Sequence, residues 1–256
     1  MTYFLSLLDK SPIEQGLTAA DALRATVKIA ARAEELGYHR FWVAEHHNMS
    51  NLASSAPEAL IAYLLARTSR IRIGSGGVML QHYSAYKVAE TFNLLASLAP
   101  GRVDLGVGKA PGGFPLSTRA LQLAVDPARK PDFASQLSDL NIYLAAFAAE
   151  SEDYARERVG NLRIVKVFLP NGQTVNVGSE EQAAEFARQA GVTDYRIEER
   201  VPSVLHGTAE QIRKELDELH RRYGVKEFVL DTPALSVAER LASIELLAKE
   251  RLSLVA

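Results

Sequence analysis

The sequence predicts an α/β fold built on a parallel β-sheet, either a (β/α)8 barrel or a doubly wound open sheet. Over the first 110 residues, continuous apolar segments typical of buried strands alternate with amphipathic segments typical of helices. The chain has 256 residues, which is enough for one barrel, and it shows no stronger internal repeat than this alternation. We therefore expect residues 1–256 to form one domain.

The first half of the chain supplies four strand–helix units. Gly37 follows the first predicted helix, Pro57 suits the first turn of the second, and the third ends at Pro100. The predicted strands are residues 3–9, 40–45, 71–80 and 102–108, and the predicted helices are residues 20–37, 56–69 and 85–100.

The second half of the chain is less regular. Residues 111–135 indicate a long loop that leads into a helix beginning at 133–140. Asn171-Gly172 predicts a tight turn within a hairpin over 163–177. The remaining predicted strands are 141–147 and 226–233, and the remaining helices are 151–159, 179–191 with Ser179 as N-cap, 206–224 with the capping box Thr208-x-x-Gln211, and 236–252. Only six strands of a barrel can be counted.

The composition limits the classes of partner. Charged residues make up 23%, and 29 Lys and Arg stand against 31 Asp and Glu, so the net charge of −2 gives no field for nucleic acid or an anionic membrane. The absence of cysteine excludes disulfides and thiolate metal sites and fits a reducing compartment. No apolar run approaches the ~18 residues of a spanning helix. We expect a cytoplasmic protein with neither nucleic acid nor membrane as partner.

The segment Glu45-His46-His47-Asn48 ends the second predicted strand and is the first candidate site. Neighbouring residues of an extended chain point to opposite sides, so His46 and His47 cannot readily bind one ion. Neither the H-E-x-x-H spacing nor a cysteine is present, and no metal is expected. Two interpretations stay open, namely histidines hydrogen-bonded inside the fold and an acid–base histidine at the mouth of a barrel.

Two glycine-rich segments end the third and fourth predicted strands. Residues 106–113, GVGKAPGG, indicate either a turn that binds an anion, with Lys109 adding charge, or an ordinary loop between strand and helix. Residues 74–77, GSGG, indicate either a backbone pressed against a flat ligand or a β-bulge. Neither segment matches a Rossmann or P-loop pattern.

Taken in order, these motifs resemble one family. SLLDKSP, LGYHRFWVAEHHNM with ASSAPE, TSRIRIGSGGVMLQHYS with AYKVAETF, and LAPGRVDLGVGKAPGG are similar to the bacterial-luciferase-like flavin-dependent oxidoreductases. The resemblance covers residues 1–120 and resumes over 141–252 with HGTAEQI, YGVKEFVLDTP and ERLASIELLA. It implies a TIM barrel that binds reduced FMN at the carboxyl ends of its strands.

The resemblance also implies a function and its residues. The family commonly comprises monooxygenases that use FMNH2, supplied by a separate NAD(P)H:flavin reductase, and O2 on a small organic substrate. It implies that His46 is catalytic, with Glu45 and His47 supporting it. It further implies a non-proline cis peptide at Gly76-Gly77 and a loop in which Lys109 replaces an arginine and keeps its charge but not its bidentate fork. The implied cofactor-binding residues are Ser75, Gly76, Gly77, Lys109, Ala110 and Gly112.

The sequence departs from the family between Leu140 and Asn141. About two βα units are missing there, including a strand that ends in L-G-S-S and binds the flavin phosphate. Either the barrel is shortened or residues are missing from the sequence, and a degenerate flavin-binding barrel is the alternative function. A shortened barrel is expected to pair strand 141–147 with 102–108, or to cover the gap with hairpin 163–177.

Two further expectations concern partners. Helices 56–69 and 85–99 carry apolar residues on more than one face, and the family commonly pairs through this region, so a homodimer is predicted. The substrate itself cannot be read from the sequence.

Overall fold

The fold is described from a computed structural model. It describes residues 3–83, 85–123, 142–149, 164–170, 172, 174–177, 179–200, 204–232 and 236–252.

A parallel sheet of seven strands forms the centre of the fold. Its strand order is β4-β3-β2-β1-β10-β5-β9, and every neighbouring pair is parallel. The strands are β1 (Phe4–Asp9), β2 (Arg40–Val43), β3 (Arg72–Met79), β4 (Val103–Gly108), β5 (Ile142–Ala149), β9 (Leu205–Thr208) and β10 (Glu227–Asp231). The six predicted barrel strands are all present, and β9 extends the sheet beyond β5. Over the described residues, β4 and β9 are the two edges, so the barrel is not closed there.

Helices follow the strands. Thr208 and Gln211 form the predicted capping box before the sixth helix, and Thr18 and Asp21 form another, which was not predicted, at the start of the first. Pro57 lies in the first turn of the second helix. The helices are α1 (Ala19–Glu35), α2 (Pro57–Arg67), α3 (Ala85–Leu98), α4 (Pro115–Leu121), α5 (Glu180–Ala190), α6 (Ala209–Tyr223) and α7 (Val237–Leu252), with a short 3-10 helix at Leu80–His82. Within the described parts of the chain, no helix is long and apolar enough to cross a membrane.

The two faces of the sheet have different roles, as the two-residue period of a strand requires. Outward-facing residues such as Phe41, Ile73 and Phe228 are fully buried against the helices and form the main core. Inward-facing residues form a small apolar cluster inside the curve of the sheet, composed of Leu8, Trp42, Ala44 and Val229. This cluster lies on the strands that lead to the candidate site.

An ion-pair network joins four strands at the amino-terminal end of the sheet. Arg40 pairs with Asp104 at 3.0 Å and with Glu227, and Arg72 also pairs with Asp104, at 2.5 Å. The Ser6 hydroxyl donates to Glu227 at 2.7 Å. Because each charge has an opposite partner, this part-buried layer stabilises the base of the sheet.

A second sheet contains the predicted hairpin. Its antiparallel strands, in the order β7-β6-β8, are β6 (Ile164–Phe168), β7 (Thr174–Val177) and β8 (Arg196–Arg200). Together with α5 they bury a separate apolar cluster that includes Val167 and Phe186, and Phe114 and Met49 from the loops after β4 and β2 pack into it. This small sheet therefore lies over the carboxyl-terminal loops of the large one.

Three expectations from the sequence need correction. Strand 141–147 does not pair with 102–108, because β5 lies between β10 and β9 and pairs in parallel with both. The loop 111–135 contains α4, which begins at Pro115. The strands β8 and β9 were not predicted. The Leu140–Asn141 link, the helices expected at 133–140 and 151–159, and Asn171 lie outside the described residues.

Candidate active site

The fold brings the histidine segment and the glycine-rich loop into direct contact. The His47 backbone N–H donates to the Gly112 carbonyl at 2.7 Å, and His47 and Gly113 form a parallel bridge. A Cβ atom at Gly113 would lie 2.4 Å from the His47 carbonyl oxygen, so only glycine fits this contact. The two motifs therefore form one structural unit at the carboxyl ends of β2 and β4.

His46 faces a cavity from the end of β2. Its backbone N–H donates to the Ser54 carbonyl at 2.8 Å, which fixes the chain, while its side chain is partly buried. Burial, helped by the charges of Lys10 and His47, lowers the pKa of His46 to about 4. The imidazole is therefore neutral at pH 7. Among the described residues its Nδ1 atom is buried without a hydrogen-bond partner.

Glu45 lies on the opposite side of the chain and binds three donors. Its fully buried carboxylate accepts hydrogen bonds from the Tyr83 hydroxyl at 2.8 Å and from the Met79 backbone N–H at 2.9 Å, and it lies 2.6 Å from His47 Nε2. Burial and the Glu45 carboxylate raise the pKa of Tyr83. His47 is thus held within the fold, while His46 is directed to the cavity. The described residues contain no group of three metal-ligating side chains.

The glycines of β3 allow close contacts inside the protein. The peptide bond between Gly76 and Gly77 is cis, as the resemblance implied. A Cβ atom on Gly76 would lie 3.0–3.1 Å from Leu8 and Trp42, and one on Gly77 would lie 2.9 Å from the Gly106 backbone. The fully buried Ser75 hydroxyl donates to the Gly106 carbonyl at 2.8 Å and accepts from its N–H at 3.1 Å.

A cavity of about 560 Å³ opens beside His46. The loop after β4 contributes Ala110 and Gly112, and the small sheet and α5 close the other side. Its lining is mainly apolar and includes Met49, Phe114, Val175 and Phe186. Of the predicted site residues, the cavity thus brings together His46, Ala110 and Gly112. Lys109 is exposed, and it lies outside the lining. Ser75, Gly76 and Gly77 also lie outside the lining. The roles of these four residues stay predictions.

Sequence reasoning missed the part of the site that comes from the second half of the chain. Thr174, Val175 and Asn176 on β7 and Phe186 on α5 line the cavity. The Asn-Gly signal located the hairpin, but no local signal indicated that it lies over His46. The ion pair between Lys10 and Asp231, at the ends of β1 and β10, was also missed.

Comparisons with known proteins agree with this arrangement. The family model for luciferase-like monooxygenases matches residues 1–121. The N-acetyl-S-alkylcysteine monooxygenase of Bacillus subtilis (strain 168) is 39% identical over 324 aligned positions that cover 95% of this chain and 96% of that one. The chain belongs to the luciferase-like monooxygenase family. Its expected membership and its α/β barrel-type fold are thus confirmed.

Two solved structures share the fold. The crystal structure of apo-MsnO8 has a TM-score of 0.71 and 23% identity, and covers 98% of this chain and 99% of that one. The oxygenating constituent of 3,6-diketocamphane monooxygenase from Pseudomonas putida, solved in complex with FMN, has a TM-score of 0.64 and 14% identity, with 98% of each chain covered.

The alignment with the Bacillus subtilis relative also bears on the missing units of this luciferase-like chain. The 324 aligned positions exceed the 256 residues of the chain, so at least 324 − 256 = 68 positions of the relative have no counterpart here. Because the alignment covers 95% of this chain and 96% of the relative, this confirms that the chain lacks an internal segment.

The residues of the site fit a flavin at its ring end. Among the described residues, Trp42 Nε1 and His46 Nδ1 are buried without partners, and both belong to the segment that β2 begins. Buried polar atoms normally have hydrogen-bond partners, and a polar heterocycle could supply them. Trp42 itself belongs to the apolar cluster with Leu8, Ala44 and Val229. At the phosphate end, Lys109 is the only one of the predicted residues that is charged.

Proposed function

We propose that the protein is a flavin-dependent monooxygenase that uses reduced FMN and O2 to oxidise a small organic substrate. One observation carries the proposal. At the carboxyl end of β2, His46 presents a neutral, partly buried imidazole to a cavity of about 560 Å³, and its Nδ1 atom is buried without a hydrogen-bond partner among the described residues. Family membership and the name of the Bacillus subtilis relative support the same class of reaction.

His46 serves as the proton-handling group of the site. A neutral imidazole has one N–H and one lone pair, so it accepts a proton at one nitrogen while it releases one at the other. With a pKa of about 4 it does not hold a fixed positive charge at pH 7. Reduced FMN, when bound, supplies the electrons with which one oxygen atom of O2 is transferred to the substrate and the other is reduced to water.

Other residues hold His46 in place and keep water out. The Glu45 carboxylate fixes the segment by accepting hydrogen bonds from the Met79 backbone N–H and the Tyr83 hydroxyl. The Ser54 carbonyl holds the His46 backbone N–H. Phe114 and Phe186 meet edge to face, with ring centroids 5.8 Å apart, and form an apolar wall of the cavity. Such a wall protects reactive species from hydrolysis.

The proposal includes how the cofactor is held and supplied. Ser75, Gly76, Gly77, Ala110 and Gly112 contact the flavin, and Lys109 binds its phosphate. We propose that a separate NAD(P)H:flavin reductase supplies FMNH2 in transient contact and that both proteins act in the cytoplasm. A homodimer is proposed through α2 and α3, where Tyr63, Leu94 and Leu98 are 54%, 61% and 72% exposed.

A degenerate flavin-binding barrel is the second candidate. Two observations favour it. The described sheet has two open edges, and 68 or more positions of the Bacillus subtilis relative have no counterpart in this chain. Such a protein would share the ring-end residues but would bind the phosphate weakly, because Lys109 offers a point charge without the missing serines.

One titration separates the two candidates. FMN, FMNH2 prepared anaerobically, and riboflavin are titrated into the full chain and followed by flavin fluorescence or calorimetry. The enzyme proposal requires binding of FMNH2 in the micromolar range, with weaker binding to Lys109→Gln. Arg24→Gln, on the exposed face of α1, is the matched control. Absence of binding by either redox form at millimolar flavin would refute the enzyme proposal.

A further inference from the structure

Among the described residues, the lining of the cavity beside His46 carries one formal charge at neutral pH. His46 and Arg119 are its two ionisable side chains in that part of the chain, and the first is neutral. Arg119 lies on α4 and, within the described parts of the chain, makes one hydrogen bond, from Nη2 to the Gln189 carbonyl at 3.3 Å. No carboxylate among the described residues pairs with it. Its remaining N–H donors are therefore available to an anion.

The rest of the lining is suited to an apolar group with one amide. Met49, Phe114, Val175 and Phe186 present hydrocarbon and ring surfaces, while Thr174 and Asn176 offer hydroxyl and amide groups on β7. An apolar ligand body gains affinity from the area it buries, and a few placed polar groups fix its orientation.

A neighbouring cavity of about 490 Å³ has the opposite charge. It shares His46, Met49 and Phe114 with the first cavity, but Glu181 and Glu185 line its outer part. Glu185 is paired with Arg188, and Glu181 is exposed. An anionic ligand near His46 is therefore directed towards Arg119 and away from the two glutamates.

We propose that the cavity beside His46 binds a small N-acylated amino acid or a similar amphipathic monocarboxylate, with its carboxylate on Arg119 and its apolar side chain against the wall formed by Phe114 and Phe186. This inference rests on the proposed function, because it identifies the substrate class of the same site. It assigns Arg119 as the residue that selects for an anion. The side-chain end of the ligand then lies on the His46 side of the cavity.

Calorimetric titration of the wild-type protein with three probes tests the proposal without any turnover. The probes are N-acetyl-L-methionine, its neutral methylamide, and N-acetylglycine. A charge-assisted hydrogen bond corresponds to about 10- to 100-fold in affinity, so the acid should bind at least tenfold more tightly than the methylamide. N-Acetylglycine should bind about tenfold or more weakly than N-acetyl-L-methionine, because it lacks the apolar side chain. Equal affinities for the acid and the methylamide, or no binding of the acid at millimolar concentration, would overturn the proposal.

Variants locate the carboxylate and separate it from the flavin phosphate. Arg119→Gln should weaken the binding of N-acetyl-L-methionine about tenfold or more and leave the affinity for FMN unchanged. Arg119→Lys should retain part of the affinity for N-acetyl-L-methionine. Arg24→Gln should bind both ligands as the wild type does. If Arg119→Gln weakens FMN but not riboflavin, the residue binds the flavin phosphate and the proposal is wrong. If FMN does not bind while the acid binds through Arg119, the proposed monooxygenase function fails and this inference stands.

Discussion

Replacing His46 with glutamine should make the free energy of unfolding less sensitive to acid. The buried imidazole has a pKa of about 4 in the folded protein, against 6.5 for an ordinary histidine. Between these two pH values the unfolded chain binds a proton that the folded chain does not. The folded state therefore loses stability as the pH falls through this window, and stability rises again with pH.

The size of the effect follows from the two pKa values. The pKa of His46 is 6.5 in the unfolded chain and about 4 in the folded protein. This difference lowers the free energy of unfolding by about 3 kcal/mol when the pH falls from above the first value to below the second. The side chain is partly buried, so this figure is an upper limit. The His46→Gln variant has no ionisable group at this position and should lack this contribution.

Urea unfolding of both proteins from about pH 7.5 to about pH 4 measures the effect. All other titrating groups are common to the two proteins, so the difference between the two curves isolates His46. At about pH 4, relative to about pH 7.5, we expect the free energy of unfolding of the variant to rise by about 1–3 kcal/mol against that of the wild type. Parallel curves over the whole range would show that His46 is not held neutral by its surroundings.

Four other predictions can be measured. His46→Ala should slow oxidation by about 10²–10⁴-fold in a turnover assay with reduced FMN while folding is retained, and full activity would contradict its proton-handling role. Arg240→Met leaves the fully buried Asp9 carboxylate without its ion pair and should cost about 3–5 kcal/mol in urea unfolding; a loss below about 1 kcal/mol would refute this. Gly113→Ala forces a Cβ against the His47 carbonyl and should destabilise the loop, seen as faster amide hydrogen exchange at His47, whereas unchanged exchange would argue against a fixed contact. Light scattering at micromolar concentration should give twice the monomer mass, and a monomer mass would exclude the dimer.

Six of the seven strands of the large sheet could be predicted because their signals are local. They follow from apolar segments of the sequence, and the capping box at Thr208 is determined by residues three positions apart. β8 escaped prediction because its sequence, RIEER, is mostly charged, and it becomes a strand through pairing with β6. The helix α4 escaped because glycines and a proline precede it, while Pro115 in its first turn is compatible with a helix.

The candidate site was predictable only in its first half. The position of His46 at a strand end followed from the sequence, and the contact between His47 and Gly113 agrees with that placement. The other wall of the cavity comes from β7 and α5, which lie more than 120 residues further along the chain. Their position depends on packing between Phe114 and Phe186, which no local pattern reveals.

Because of the ion-pair network of Arg40, Arg72, Asp104 and Glu227, the two ends of the sheet tolerate amino-acid substitutions differently. It ties β2, β3, β4 and β10 together at the end remote from His46, so the curvature of the sheet does not depend on the loops at the other end. Residues that line the cavity can therefore be exchanged while the frame persists. An engineer seeking a new ligand should vary Thr118, Thr174 and Val175 and leave the four charged residues untouched.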